Sequence, residues 1–125
     1  MIIAVDFDGT IVTHEYPLIG KSIDGALQTL KWLQNREHKI ILYTMRSGQP
    51  LIEAVNYLKS NGVECWGVNE NPEQSFWTTS PKVYAHMYID DAALGCPLSY
   101  NCLLSKRPMV DWVKICEMLQ EKNLI

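Results

Sequence analysis

The chain has 125 residues, 47% of them apolar and 20% charged, which is ordinary globular usage and excludes disorder. That length holds one domain around one hydrophobic core. A net charge of −3 leaves no basic stripe for coating a nucleic acid, although a nucleotide as a small substrate is not excluded.

Ile2 to Val5 is a short continuous apolar run, the pattern of a strand buried on both faces, and it stops at Asp6, Asp8 and Gly9. It is too short for a signal-peptide core and runs into Asp6 instead of a cleavage site. Ser22 is the N-cap candidate of a helix reaching about Glu37, with Ile23, Ala26, Leu27, Leu30 and Leu33 at helical spacing. Lys39 to Tyr43 reads as the second strand, ending at Thr44. A second helix runs from about Pro50 to Ser60 and stops at Asn61-Gly62. Val63 to Val68 is the third strand and Ala85 to Ile89 the fourth, ending at Asp90-Asp91. The last helix follows Pro108 with a stripe of Trp112, Ile115, Cys116 and Leu119.

Alternating strands and helices build a parallel sheet with right-handed crossovers, so the expected fold is α/β, a Rossmann-like three-layer domain over residues 1–125. The four cysteines lack zinc-ribbon spacing and read as reduced thiols, mostly core filler. No apolar run reaches membrane-spanning length, and the expectation is a cytoplasmic chain.

Three strands end in polar residues at their carboxyl edges: Asp6 with Asp8, then Thr44, then Asp90 with Asp91. Ligands of open α/β sheets bind in the crevice outside those ends. One such Asp is ordinarily a turn former or a helix cap, but coincidence at three strand ends favours a site. Two like charges about 4 Å apart repel by roughly 4 kcal/mol at an effective dielectric of 20. Such a cluster needs a cation or raised pKa values. All-oxygen ligation suits a hard ion, and Mg²⁺ uses one or two carboxylates, waters and substrate phosphate. Lys82, before the fourth strand, adds positive charge to this expected phosphate site.

Asp6-Phe7-Asp8-Gly9-Thr10 after an apolar strand resembles the first signature of phosphatases of the haloacid dehalogenase (HAD) superfamily. Thr44 after Ile40-Ile41-Leu42-Tyr43 is similar to the second signature, Lys82 to the third, and Asp90-Asp91 after Met87-Tyr88-Ile89 to the fourth. Tyr16-Pro17 with Gly20, Thr44-x-Arg46, Val68-Asn69 and Ile89-Asp90-Asp91 with Gly95 resemble a group of small bacterial HAD hydrolases. The resemblance implies that Asp6 attacks phosphorus and forms an aspartyl-phosphate, and that Asp8 protonates the leaving oxygen and then activates water. It implies that Thr44 and the amides after Asp6 hold phosphoryl oxygens while Lys82 neutralises charge. Mg²⁺ is expected on Asp6, the main-chain carbonyl of Asp8, and Asp90, with Asp91 direct or through water. An Asp at position 8 favours phosphatase over dehalogenase.

Gly9 and Thr10 are expected to approach the phosphate closely. Arg46 reads equally as a fork gripping substrate phosphate or carboxylate and as a solvated loop charge. Asn69, after the third strand, is expected to face the substrate. His14 reads as an exposed loop histidine over a substrate contact. Phe76-Trp77 reads as packed on the core over a lid, and Trp66 and Trp112 as core. The segments Gly9 to Lys39 and Thr44 to Lys82 hold no folded cap, so the site is expected to be open. A small phosphomonoester is the expected partner, with homo-oligomerisation. Two alternatives stay open: a non-catalytic phosphate- and metal-binding module, and a phosphotransferase using the same aspartyl-phosphate. A receiver domain is set aside because the acidic pairs stand in the wrong order.

Overall fold

A computed structural model describes all of residues 1–125. Four strands, β1 (Ile2–Val5), β2 (Lys39–Leu42), β3 (Gly67–Val68) and β4 (Met87–Ile89), form one parallel sheet in the order β3-β2-β1-β4. In register, Ile3 sits opposite Ile40 on one side and Met87 on the other. The pleat sends alternate side chains to opposite faces. Ile3, Val5, Ile40 and Leu42 enter the main core, while Ala4 and Ile41 enter a smaller one.

The helices are α1 (Ala26–Asn35), α2 (Gly48–Ser60) and α3 (Trp112–Glu121), and all three pack into the main core through Leu30, Leu33, Leu58, Trp112, Ile115 and Leu119. The other face carries no helix. Val83 and Ala85 cover it, in a segment that includes a 3-10 turn at Gln74–Phe76. The three layers are therefore helices, sheet, and an irregular segment where a crossover helix would stand. No helix is long and apolar enough to cross a membrane.

Several boundaries differ from the sequence expectation. α1 begins at Ala26 because Ser22 pairs with Val12 in an isolated antiparallel bridge, and Gly25 (φ 87°) turns the chain into the helix. The N-cap position falls to Gly25, which has no side chain to offer the first amides. β3 shrinks to two residues and β4 starts at Met87. β5 (Leu98–Ser99) pairs antiparallel with β6 (Met109–Val110), a pair with no counterpart among the expected strands. The α3 N-cap is Asp111, whose Oδ1 accepts from the amides of Val113 and Lys114.

Phe76 and Trp77 are exposed instead of packed on the core. The segment around them is organised by buried amides: Gln74 donates to the carbonyls of Ser80 and Lys82 and accepts from the amide of Tyr84. Asn71 donates to the carbonyl of Tyr84. With polar side chains inside, the aromatic pair points outward, and Trp77 meets Tyr84 edge to face at 5.5 Å. Trp112 is core as expected, whereas Trp66 is only half-buried, with the Lys39 ammonium 4.4 Å above its ring. All four cysteines are free, and Cys102 is exposed instead of core filler.

Candidate metal and phosphate site

Strand order places the switch point beside β1. From β1 the chain builds outward through β2 and β3, then returns to lay β4 on the opposite side of β1. Ligands of such sheets bind at that reversal, outside the carboxyl ends. Asp6 follows β1, its amide donating to the carbonyl of Ile89, and Asp90 follows β4. A cleft of about 550 Å³ opens there, lined by Asp6, Asp8, Thr44, Asp90 and Asp91.

Carboxylate oxygens of Asp6, Asp90 and Asp91 all lie within 4.8 Å of one another. This all-oxygen set is the chemistry of a hard divalent cation. Burial pushes the Asp6 carboxyl up from its ordinary 3.8 to about 7, and the charge of Asp90 pushes the same way, against a lowering hydrogen bond from Thr10. A cation bound among these carboxylates would relieve the repulsion that raises Asp6.

The linkage has a definite sign. Between about pH 4 and about pH 7 the folded chain keeps a proton on Asp6 that the unfolded chain has lost, so stability falls as pH rises through that window, and the penalty is complete above about 7. Asn mimics the protonated carboxyl. The Asp6→Asn variant is therefore expected to be more stable than wild type at pH 8 without metal, with the gap closing towards pH 5. Urea midpoints of the two proteins across that range check it.

Thr10 is buried and does not face a substrate. Its hydroxyl donates to Asp6 Oδ2 at 2.8 Å and accepts from the Asp91 amide at 3.2 Å, tying the ends of β1 and β4 together. Its carbonyl accepts from the Trp112 indole at 2.6 Å, which anchors the first loop to α3.

Gly9 has φ 80°, and a Cβ there would collide with the His14 ring and the Asp91 carboxylate. Close approach is indeed the reason for glycine, but to protein groups. Gly9→Ala is expected to cost at least about 1 kcal/mol, from the left-handed backbone alone, and to displace His14. Its urea midpoint should fall accordingly.

His14 itself is half-buried, its Nε2 2.9 Å from Asp91 Oδ2. This differs from the exposed loop histidine expected from sequence. Spacing along the chain carries no sign of a partner 77 residues away.

The largest correction concerns Asp8 and Arg46. Arg46 is only 2% exposed and is not a solvated charge. Its Nε donates to Asp8 Oδ2 at 2.8 Å and its Nη2 to Asp8 Oδ1 at 2.7 Å, a bidentate pair. Nη2 also donates to the carbonyl of Leu18, and Nη1 to those of Pro17 and Pro50. A guanidinium has five N–H donors, and all five are satisfied within the protein. None is left to grip a substrate. The pairing with Asp8 holds the Arg46 pKa above its ordinary value despite burial. The Asp8 carboxylate accordingly lies outside the Asp6–Asp90–Asp91 cluster, leaving its main-chain carbonyl as its route to a cation.

Thr44 lines the cleft, and its hydroxyl accepts from the Arg46 amide, so its own proton is free to donate. Asn69 does not line the cleft. Held at φ 53°, it accepts from the Thr44 amide at 2.8 Å and so supports the Thr44 loop. Lys82 is exposed, forms no ion pair and does not line the cleft. Arg107, which the sequence reading passed over, does line it.

Fold and site together define an α/β protein with a Rossmann-like parallel sheet and an acidic, cation-competent cleft at its switch point. No family model matches the sequence, and no curated protein does. Among solved structures the chain is similar to a conserved protein coded by a locus of Bacteroides thetaiotaomicron. The two share 39% identity over 98% of this chain and 91% of that one, with a TM-score of 0.80. The chain belongs to the same family as that conserved protein.

Proposed function

We propose that this chain is a cytoplasmic, Mg²⁺-dependent phosphomonoester hydrolase of the HAD superfamily, acting through an aspartyl-phosphate on Asp6. The observation that carries the reading is the convergence of Asp6, Asp90 and Asp91 within 4.8 Å at the switch point of a parallel sheet. The donor set fits Mg²⁺, held by Asp6, Asp90 and the Asp8 carbonyl, with Asp91 direct or through water. Bound there, the ion supplies the positive charge that lets a phosphate dianion approach a carboxylate nucleophile.

In this reading an Asp6 oxygen attacks phosphorus in line, and the bond from phosphorus to the leaving oxygen breaks. Thr10, donating to Asp6 Oδ2, fixes the carboxylate so that its other oxygen faces the phosphate. The Thr44 hydroxyl donates to a phosphoryl oxygen. Asp8 protonates the leaving alcohol and then takes a proton from the water that cleaves the acyl phosphate. Each Asp8 oxygen accepts one bond from Arg46 and keeps a second lone pair, and the side chain borders the cleft, so proton transfer leaves the pair in place. Arg46 thus sets where Asp8 stands. Lys82, which the resemblance assigned to charge neutralisation, is outside the cleft and is not part of this scheme.

The Asp8–Arg46 pair is also the observation favouring the second reading, a non-catalytic phosphate- and metal-binding module. The two are separated by a phosphate-release screen over a panel of phosphomonoesters with Mg²⁺. A phosphatase releases phosphate, and Asp8→Asn slows release and accumulates acid-stable, hydroxylamine-sensitive phosphoenzyme. Binding of phosphate esters without any turnover would establish the module instead.

A further inference from the structure

The cations around the cleft are unequal. Arg46 has every donor engaged internally, and Lys82 does not reach the cleft. Arg107 is exposed, lines the cleft and forms no ion pair. It stands just before β6, whose Val110 amide donates to the carbonyl of Gly9. That bond fastens the hairpin carrying Arg107 to the nucleophile loop.

Arg107 also borders a second, half-open cavity of about 380 Å³ between His14-Glu15 and the segment Cys102–Arg107. His14 and Arg107 line both spaces, so the cavity adjoins the acidic cleft. It has the size of a small-molecule site. Its charged lining is Lys106 and Arg107 against Glu15, an excess of positive charge beside a cleft that is otherwise acidic. A ligand bridging the two spaces would place a phosphoryl group by Asp6 and the rest of its body by Lys106 and Arg107.

We propose that this second cavity is the subsite for the remainder of the substrate, and that Lys106 and Arg107 select phosphomonoesters carrying a second anionic group. Carboxylate and phosphate share the necessary chemistry, since a guanidinium fork donates to either in bidentate fashion. The proposal rests on the phosphatase reading for the fate of the ligand, but not for its binding.

Matched substrates test it. 3-Phosphoglycerate and glycerol 3-phosphate differ in a carboxylate against an alcohol, and fructose 1,6-bisphosphate and fructose 1-phosphate differ in a second phosphate. Wild type is expected to favour the more anionic member of at least one pair by about tenfold or more in kcat/KM, the effect of one or two charge-assisted hydrogen bonds. The pair that discriminates identifies the group. In the Lys106→Gln/Arg107→Gln double variant the ratio should collapse towards one. A ratio within one protein cancels any difference in folded fraction. No preference in wild type, or a preference kept by the double variant, overturns the subsite. If neither member of a pair is hydrolysed, the catalytic reading is what has failed. Calorimetric binding of the same pairs with Mg²⁺ then decides the subsite alone: a tighter Kd for the anionic member, lost in the double variant, upholds it, and equal values end it.

Discussion

Asp6→Asn is expected to reduce phosphate release by a factor on the order of 10⁴–10⁶, the range seen when a covalent nucleophile is removed. The amide keeps the shape of the side chain and can still accept the Thr10 hydroxyl that now reaches Oδ2 at 2.8 Å. What it loses is the nucleophilic oxygen and one of three charges for a cation. Single-turnover release of phosphate with saturating Mg²⁺ reads the first loss, and calorimetric titration with Mg²⁺ reads the second. Because the same change is expected to stabilise the metal-free fold at pH 8, inactivity cannot be charged to unfolding. Activity retained at the wild-type level would remove Asp6 from the chemistry.

Arg46→Met is expected to be the most damaging substitution for stability. It deletes five donors at once, stripping Asp8 of both its bonds to the guanidinium and taking a donor from three main-chain carbonyls. Breaking a buried ion pair from one side costs about 3–5 kcal/mol, which in a domain of this length lowers Tm by roughly 10–20 °C. Arg46→Lys should rescue little, since one ammonium cannot reproduce a planar fork meeting two carboxylate oxygens and carbonyls from two other segments. The guanidinium also lies 4.9 Å from the Phe7 ring and 5.2 Å from that of Tyr16, contacts a lysine stem does not replace. Urea unfolding of wild type, both variants, Asp8→Asn and the Arg46→Met/Asp8→Asn pair completes a double-mutant cycle. A loss in the pair well below the sum of the singles is expected, because each partner removed alone strands the other. A loss under about 1 kcal/mol for Arg46→Met would mean that the cluster contributes no more than an exposed ion pair.

Both variants bear on one arrangement. Asp6 faces the carboxylate cluster, and Asp8, two residues on, faces a buried cation. Neighbouring carboxylates held in contrasting surroundings are what distinct chemical roles require. The Tyr16–Leu18 segment takes part through the carbonyls of Pro17 and Leu18, so the loop after the first carboxylates, the Arg46 loop after β2 and the start of α2 at Pro50 are tied at one guanidinium.

Much of this was legible from local pattern. Ile3 to Val5 and Ile40 to Leu42 are buried on both faces, so they read as unbroken apolar runs, with Asp6 standing where the first stops and Thr44 just past the end of the second. The alternation of strand and helix dictated parallel pairing, and with it the gathering of strand ends at one edge of the sheet. The two-residue strands β5 and β6 are too short to show any period, and they became strands only by pairing with each other. Phe76 and Trp77 misled because hydrophobicity alone favours burial, whereas buried amides from Asn71 and Gln74 had already filled the interior of that segment.

By itself, then, the amino-acid order determined which residues stand at the strand ends, since a run of four apolar residues followed by an acid is a local fact. Only tertiary structure decided what each does there. Arg46 serves Asp8 and not a ligand, Asn69 serves the Thr44 amide, Thr10 serves the Asp6 carboxylate and the Asp91 amide, and Arg107 arrives at the cleft on a hairpin nearly a hundred residues after the first aspartates. The physical reason is range. Hydrogen bonds and ion pairs act over about 3 Å in space, and such distances between residues remote in the chain are set by the packing of the sheet and not by spacing along the polymer.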